Sequence, residues 1–593
     1  MAKIHCLAFA FLLSWCAAAQ EQAPAAPAAP ARPKVHAVRI EGVFADLPEV
    51  SLGVADLLGG MKGAPKAFYE LRDKIARLAK DPEVKTVLLD LSAEKVLNLP
   101  QVAELARTLR DLRAAGKTVH AYVENAGPVE YQLAAQADRI LLAEMGLVDL
   151  RSLAMTVLFL KDALDLLGMQ TDVVRVGEFK GAVEPFVLPK MSKHLREHYT
   201  AMLESMNRDV VQRIAEGRRM DPARVRELQQ RRLFRAAEAK EAGLVDELVA
   251  WHGARRAYAQ VAKAEDFELV DALPKKKPKS LNLMTMVSDL FQPKKDRKLA
   301  EPTLVVLHLS GGIADGDKPE AGSIVSGPTV KAIDELADSE HVKGVVLRVN
   351  SPGGSATASE AILLALKRLS ARKPVVVSMG ELAASGGYYI TCFGRPILAE
   401  AATLTGSIGV FGMRVIPGAL MRRVGVHEEL IGLDEMNAMD SITQPWSDAA
   451  KQKVQGFVDE VYERFTGHVA ASRRMTREKV LPIAGGRVWS GAQAVELGLV
   501  DKVGGLDDAL ALLRRDAQAD AKVPVVHRPE PKNFVESFLS SMAEGEASLD
   551  LDLLRAVLAR VGDHPVLMAL LRAARGEQGL RVQALAPEIV RVR

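Results

Sequence analysis

One pattern occurs twice in this 593-residue chain, and that repetition constrains the fold more than any other feature of the sequence. Val35-His36-Ala37-Val38-Arg39-Ile40-Glu41-Gly42 returns as Leu304-Val305-Val306-Leu307-His308-Leu309-Ser310-Gly311. Val84-Lys85-Thr86-Val87-Leu88-Leu89-Asp90-Leu91 returns as Val342-Lys343-Gly344-Val345-Val346-Leu347-Arg348-Val349. Leu141-Leu142-Ala143-Glu144 matches Ile397-Leu398-Ala399-Glu400, and Ala242-Gly243-Leu244-Val245-Asp246 matches Leu497-Gly498-Leu499-Val500-Asp501. The offset stays at roughly 255–270 residues throughout, as a tandem duplication requires. A chain of this length exceeds one hydrophobic core, so two domains of one architecture are expected.

Each copy reads alike. A continuous apolar, β-branched run (84–91 or 342–349) has the pattern of a strand buried on both faces. An amphipathic helix follows, carrying Val102, Leu105, Leu109 and Leu112 in the first copy and Ile362, Leu363, Leu366 and Leu369 in the second. A further strand begins after Lys117 or after Lys373-Pro374. Strand, helix, strand in that order predicts parallel α/β architecture. A long helix near 192–217 and near 447–472 completes each unit, with Leu195, Tyr199, Met202 and Met206 at helical spacing in the first.

The remaining segments are distinct. Residues 1–19 hold one lysine, an apolar run from Cys6 to Ala19 and the small stretch Ala17-Ala18-Ala19, the parts of a secretory signal peptide or a short membrane anchor. Residues 20–34 form an Ala/Pro-rich spacer, so the repeats run over 35–271 and 303–525. The linker 272–302 sets Lys275-Lys276-Lys277 and Lys294-Lys295 around a short apolar stretch, which suits either an anionic membrane surface or a solvated groove cover. The tail, 526–593, is mostly helical in pattern. A net charge of +3 argues against a dedicated nucleic-acid binder. Of three cysteines only Cys392 lies in the body, so neither an intrachain disulfide nor a cysteine-rich metal site is expected there. No cofactor is called for.

The chemistry is expected where the copies differ. After strand 345–349 the second copy has Asn350-Ser351-Pro352-Gly353-Gly354-Ser355, a turn whose bare backbone lets N–H groups face a developing anion. The first copy has Ser92-Ala93-Glu94-Lys95 there. After strand 375–379 the second copy has Ala383-Ala384-Ser385-Gly386-Gly387-Tyr388, which presents a serine at a helix start. Aligning Tyr131 with Tyr388 puts Pro128 opposite Ser385 in the first copy, which therefore cannot supply the nucleophile.

A serine nucleophile needs a base. The twelve histidines fall mainly in strands (His36, His120, His308), in long helices (His194, His198, His468) or in the tail. The candidate base is Lys180, set in Val176-Gly177-Glu178-Phe179-Lys180-Gly181-Ala182 of the first copy, because a buried amine is held neutral by desolvation. The second copy has no lysine in its corresponding stretch, 431–437. Each copy keeps what the other lacks.

At these residues the chain resembles the signal peptide peptidase A (protease IV) family, of the long, duplicated type. The resemblance rests on Asn350-Ser351-Pro352-Gly353-Gly354, Ala384-Ser385-Gly386-Gly387-Tyr388, Gly406-Ser407-Ile408-Gly409-Val410-Phe411-Gly412 and the segment 179–186, in order along about residues 35–525. It implies a Clp-protease/crotonase-like fold in each repeat and a Ser/Lys dyad. Ser385 would be the nucleophile and Lys180 the general base and acid. The N–H groups of Gly353 or Gly354 and of Gly386 would hold the oxyanion, with Ser407 either orienting the lysine or simply capping a turn. It further implies peptide substrates that are remnant signal peptides, a location at the periplasmic face of the cytoplasmic membrane, or in the periplasm if residues 1–19 are removed, and homotetramers. Two other readings stand beside it: a crotonase-like acyl-CoA hydratase or isomerase, which would need acidic residues at its centre, and a non-catalytic membrane scaffold in which Ser385 only starts a helix.

Overall fold

A computed structural model describes residues 32–48, 65–250, 253–263, 266–273, 299–394 and 396–529, together with two short strands, Val582–Leu585 and Arg591–Val592. The signal segment 1–19, most of the spacer and linker, and the helical stretch expected within the tail lie outside these residues.

In the N-terminal repeat, six parallel strands lie in the order Glu247–Val249, Arg139–Ala143, Thr118–Val123, Thr86–Asp90, Lys34–Arg39, Glu268–Asp271. Val87, Leu88 and Leu89 on the central strand are fully buried, as a strand covered on both faces requires. The helix Leu99–Ala114 buries Val102, Leu105, Leu109 and Leu112, and the Asn98 side chain caps it by accepting from the Gln101 N–H.

The C-terminal repeat repeats the plan. Its strands run Lys502–Val503, Ile397–Ala399, Val375–Ala384, Val342–Ser351, Thr303–Ser310, Val525–Arg528, all parallel, and Val375–Ala384 also pairs in parallel with Leu404–Gly406, which lies antiparallel to Val488–Ser490. The helix Ala356–Arg372 buries Ile362, Leu363, Leu366 and Leu369. The long helices are Lys193–Arg218 and Asp448–Arg473, capped by Ser192 and Ser447. Shared polar anchors show how closely the copies agree. Tyr131 donates to the Leu244 carbonyl (3.0 Å) and Tyr388 to the Leu499 carbonyl (2.9 Å), while Arg218 pairs with Asp246 as Arg473 pairs with Asp501.

Contacts between the repeats include a shared strand ladder and a network of buried ion pairs. Gln170–Val176 of the first runs antiparallel to Val410–Ile416 of the second, in register from Gln170 opposite Ile416 to Val176 opposite Val410. Elsewhere Arg348, 2% exposed, reaches Asp46 (2.8 Å) and Glu104 (3.0 Å) of the first repeat, both buried. Arg107 forks onto the buried Glu400 in the same boundary. Buried ions need such complete pairing, and removing one partner leaves a charge stranded.

Candidate active site

The cross-repeat ladder ends with Val176 opposite Val410. Lys180 lies four residues beyond the first and Ser407 three residues before the second, so both arrive at the same end. Lys180 Nζ sits 3.0 Å from Ser407 Oγ and 3.1 Å from the Ser407 carbonyl oxygen. Its third neighbour is Ser385 Oγ, at 2.8 Å. The structure thus brings the two halves' distinguishing residues into direct contact across 205 residues of chain. All three side chains are buried, at 1% exposure or less.

Ser385 occupies a sharp elbow between the strand Val375–Ala384 and the short helix Gly386–Tyr389. Its φ of 57° and ψ of −119° place an L residue in sparsely allowed space, a strain typical of functional positions. The elbow is held by its own backbone: the Ser385 N–H donates to the Gly406 carbonyl at 2.8 Å, and the Ser385 carbonyl accepts from the Tyr389 N–H at 2.8 Å. The two glycines that follow are required by contact. A Cβ on Gly387 would lie 2.4 Å from the Ser351 carbonyl oxygen, and one on Gly386 would lie 3.1 Å from both Gly353 Cα and Gly354 N. The helix start therefore packs directly on the 351–354 segment.

That segment differs in form from the turn expected from sequence. Gly353–Ser355 is a short strand, lying parallel beside Gly312–Ala314 with Gly354 opposite Ile313. A Cβ on Gly354 would come within 2.0 Å of the Ile313 carbonyl oxygen, so only glycine permits this approach. The three expected oxyanion donors are not equivalent. The Gly353 N–H is engaged by Ser351 Oγ at 3.1 Å. Gly354 and Gly386 are neighbours, and the Gly386 N–H opens a helix, where no intrahelical acceptor exists.

Among the described residues, Lys180 has no acidic partner. Burial alone lowers its amine from the ordinary 10.5 to about 7. A neutral amine has two N–H donors and one lone pair, and its three neighbours match: the donors meet the Ser407 oxygens, and the lone pair meets the Ser385 hydroxyl. Among the described histidines, His194 and His198 lie against this chain segment, 5.1 and 5.5 Å from the Phe179 ring, but His194 Nε2 meets the Glu178 carbonyl at 3.2 Å, and the Nε2 of His198 is occupied by the Val488 carbonyl at 2.8 Å. Burial lowers His198 to about 4.

Residues outside the sequence-derived set also hold the lysine. The Phe179 N–H donates to the Gly485 carbonyl at 3.0 Å, and a Cβ on Gly486 would lie 2.5 Å from the Lys180 nitrogen. Arg487 stacks over Phe179 at 3.6 Å. The signal was available in the duplication, because Gly485-Gly486 stands where the first repeat has Gln230-Arg231 before its matching strand, Leu233–Arg235. Among the described residues, no cluster of three or more histidine, cysteine, aspartate or glutamate side chains is arranged to hold a metal.

The family model for peptidase family S49 matches this chain twice, over residues 111–265 and 367–520. The chain belongs to peptidase family S49. It is a serine peptidase, and the first match contains Lys180 while the second contains Ser385 and Ser407. The peptidase is 33% identical over 495 residues to Protease 4 of Salmonella typhi, covering 80% of this chain and 76% of that one. It is 25% identical over 525 residues to the chloroplastic serine protease SPPA of Arabidopsis thaliana, covering 84% and 73%. A putative signal peptide peptidase SppA of Enterococcus faecium is 33% identical over 210 residues, 35% of this chain and 60% of that one.

Proposed function

We propose that this peptidase cleaves extended apolar peptides, cleaved signal peptides among them, with Ser385 as nucleophile and Lys180 as general base and acid. The observation that carries the reading is the 2.8 Å contact between Lys180 Nζ and Ser385 Oγ in a site where burial lowers the amine to about 7, leaving a large share of it neutral near pH 7. As Ser385 Oγ attacks the carbonyl carbon, its proton passes to Lys180. The resulting ammonium has three N–H donors, and the Ser407 hydroxyl and carbonyl accept two of them. The third proton goes to the departing amine. Water then attacks the acyl-enzyme with Lys180 again as base. The Gly354 and Gly386 N–H groups are the donors for the tetrahedral oxyanion.

The substrate path follows from the strands. Gly353–Ser355 and Val410–Ile416 form two walls of one sheet with room for a single strand between them, beside the Ser385 elbow. Backbone pairing in such a slot reads extended conformation rather than sequence, which suits varied peptides. Export, residence at the periplasmic membrane face and assembly into homotetramers belong to the same proposal. They rest on the N-terminal segment and the family resemblance. No helix among the described residues is long and apolar enough to cross a membrane.

The test is hydrolysis of short apolar peptide amides by the purified chain. Ser385→Ala and Lys180→Ala should each lower kcat by at least about 10³-fold, and a serine-reactive phosphonate should modify Ser385 alone. Wild-type turnover by Ser385→Ala would end the proposal.

A further inference from the structure

The N–H groups of Gly354 and Gly386 come from different elements. Gly354 lies in the strand Gly353–Ser355, which runs into the helix Ala356–Arg372, and Gly386 opens the helix Gly386–Tyr389. The separation of the two donors therefore depends on how these helices meet. A Cβ on Gly386 would lie 2.8 Å from Ser359 Oγ, and at the next residue Glu360 Oε2 accepts from the Tyr389 hydroxyl at 2.6 Å. Tyr389 is buried and ends the helix that follows Ser385, where its N–H also donates to the Ser385 carbonyl.

Glu360 is itself fixed from behind. His468, on the long helix Asp448–Arg473, meets the same Oε2 through Nε2 at 3.0 Å, and Lys367 Nζ lies 3.1 Å from His468 Nδ1. An ammonium only donates, so His468 Nδ1 accepts and its one proton sits on Nε2, aimed at Glu360. Burial lowers this imidazole, which favours the same neutral form. Arg464 Nη1 stands 3.7 Å from the other carboxylate oxygen. A carboxylate held in this way keeps the Tyr389 hydroxyl in one place.

The first repeat shows that the fold itself does not need this chain of bonds. With Tyr131 matched to Tyr388 and Arg218 to Arg473, Gln132 stands for Tyr389 and Arg213 for His468. Ala103 stands for Glu360 when Leu105, Leu109 and Leu112 are matched to Ile362, Leu366 and Leu369. Gln132 donates to the Pro128 carbonyl of its own helix at 2.9 Å, and Ala103 offers no carboxylate to the helix beside it. The copy without a nucleophile keeps both helices and lacks the tie between them.

We propose that Tyr389 and Glu360 are positioning residues that set the spacing of the Gly354 and Gly386 N–H groups for the tetrahedral oxyanion. The inference rests on the assignment of those two donors under the proposed function.

In the full chain, Tyr389→Phe removes one oxygen atom and Glu360→Ala removes its acceptor. Each should lower kcat for a short apolar peptide amide by about thirtyfold with KM within about twofold of wild type, because the donors matter more to the oxyanion than to the ground-state carbonyl. A peptide aldehyde, whose adduct with Ser385 carries the oxyanion, should bind more weakly by the same factor. The double variant should be no slower than either single one, and Glu360→Gln, which keeps an acceptor oxygen, should stay within about threefold of wild type. Unchanged kcat in both single variants, losses that multiply in the double variant, a Glu360→Gln as slow as Glu360→Ala, or a rise in KM in place of the fall in kcat would each overturn the proposal. So would full aldehyde affinity in a variant whose kcat has fallen. Wild-type turnover by Ser385→Ala would sink the catalytic reading by itself, and the coupling in kcat would still decide whether Tyr389 and Glu360 act as one unit.

Discussion

Replacing Lys180 by methionine should stabilise this protein, by an amount that depends on pH. Burial holds the amine at about 7 against an ordinary 10.5, so the folded chain binds fewer protons than the unfolded one between those values. The burial penalty on this group amounts to about 1.4 kcal/mol per pH unit of that gap. The cost is on the order of 5 kcal/mol below pH 7, on the order of 3 kcal/mol at pH 8, and nothing above about pH 10.5. Methionine has similar length and carries no charge, so it removes this cost. It also strands Ser385 and Ser407, which lose a partner at about 1–2 kcal/mol together. Lys180→Met should therefore be more stable than wild type by on the order of 3 kcal/mol at pH 6.5, with the advantage vanishing and then reversing as pH rises towards 10. Urea unfolding followed by the fluorescence of Trp446 and Trp489 at a series of pH values measures it. A variant no more stable than wild type at pH 6.5, or a difference that does not shrink with rising pH, would refute the account of a lysine neutralised by burial.

Activity should follow the same ionisation, with kcat/KM climbing about tenfold per pH unit below about 7 and levelling above it. A flat profile between pH 6 and 9 in a stopped assay would exclude Lys180 as the base. Arg348→Met should cost about 3–5 kcal/mol in a urea titration, because Asp46 is left buried without its cation and Glu104 keeps only Arg72, at 3.4 Å; a loss under about 1 kcal/mol would mean the network is not holding the repeats. Gly486→Ala should lower kcat by about a hundredfold and lower the unfolding midpoint as well, since Gly486 sits at a φ of 83° that an L residue rarely adopts. Its new Cβ would press on Lys180 backbone atoms 2.5–2.7 Å away rather than on a side chain that can turn aside. An active Gly486→Ala would show that the lysine tolerates displacement.

How much of this was legible beforehand depended on what the duplication could reveal. The paired strands, the two amphipathic helices and the long helices fall where periodicity put them, because those elements are fixed by burial on a period the sequence carries openly. Lys180 and Ser385 emerged from a comparison of copies, and the structure sets them 2.8 Å apart. The 350–355 segment was readable as a place needing glycines but not as a strand, since its pairing is supplied by residues 312–314 and 582–585, far away in sequence. The division of labour among Gly353, Gly354 and Gly386 was equally hidden, because the Ser351 hydroxyl that engages the Gly353 N–H is a matter of side-chain direction. Gly485 and Gly486 were missed for a different reason. They act on the backbone of Lys180, from a loop with no chemistry of its own.

The ladder between 170–176 and 410–416 also orders events in time. A ribosome adding about 5–20 residues per second places Lys180 some 10–40 s before Ser385 is polymerised, 205 residues later. During that interval the nascent chain holds an amine without a hydroxyl, and the second repeat, once made, holds a hydroxyl without an amine until strand 410–416 docks in register. Under the proposed dyad, competence to cut arrives only once 410–416 has docked on 170–176, so the appearance of activity reports that both repeats have folded.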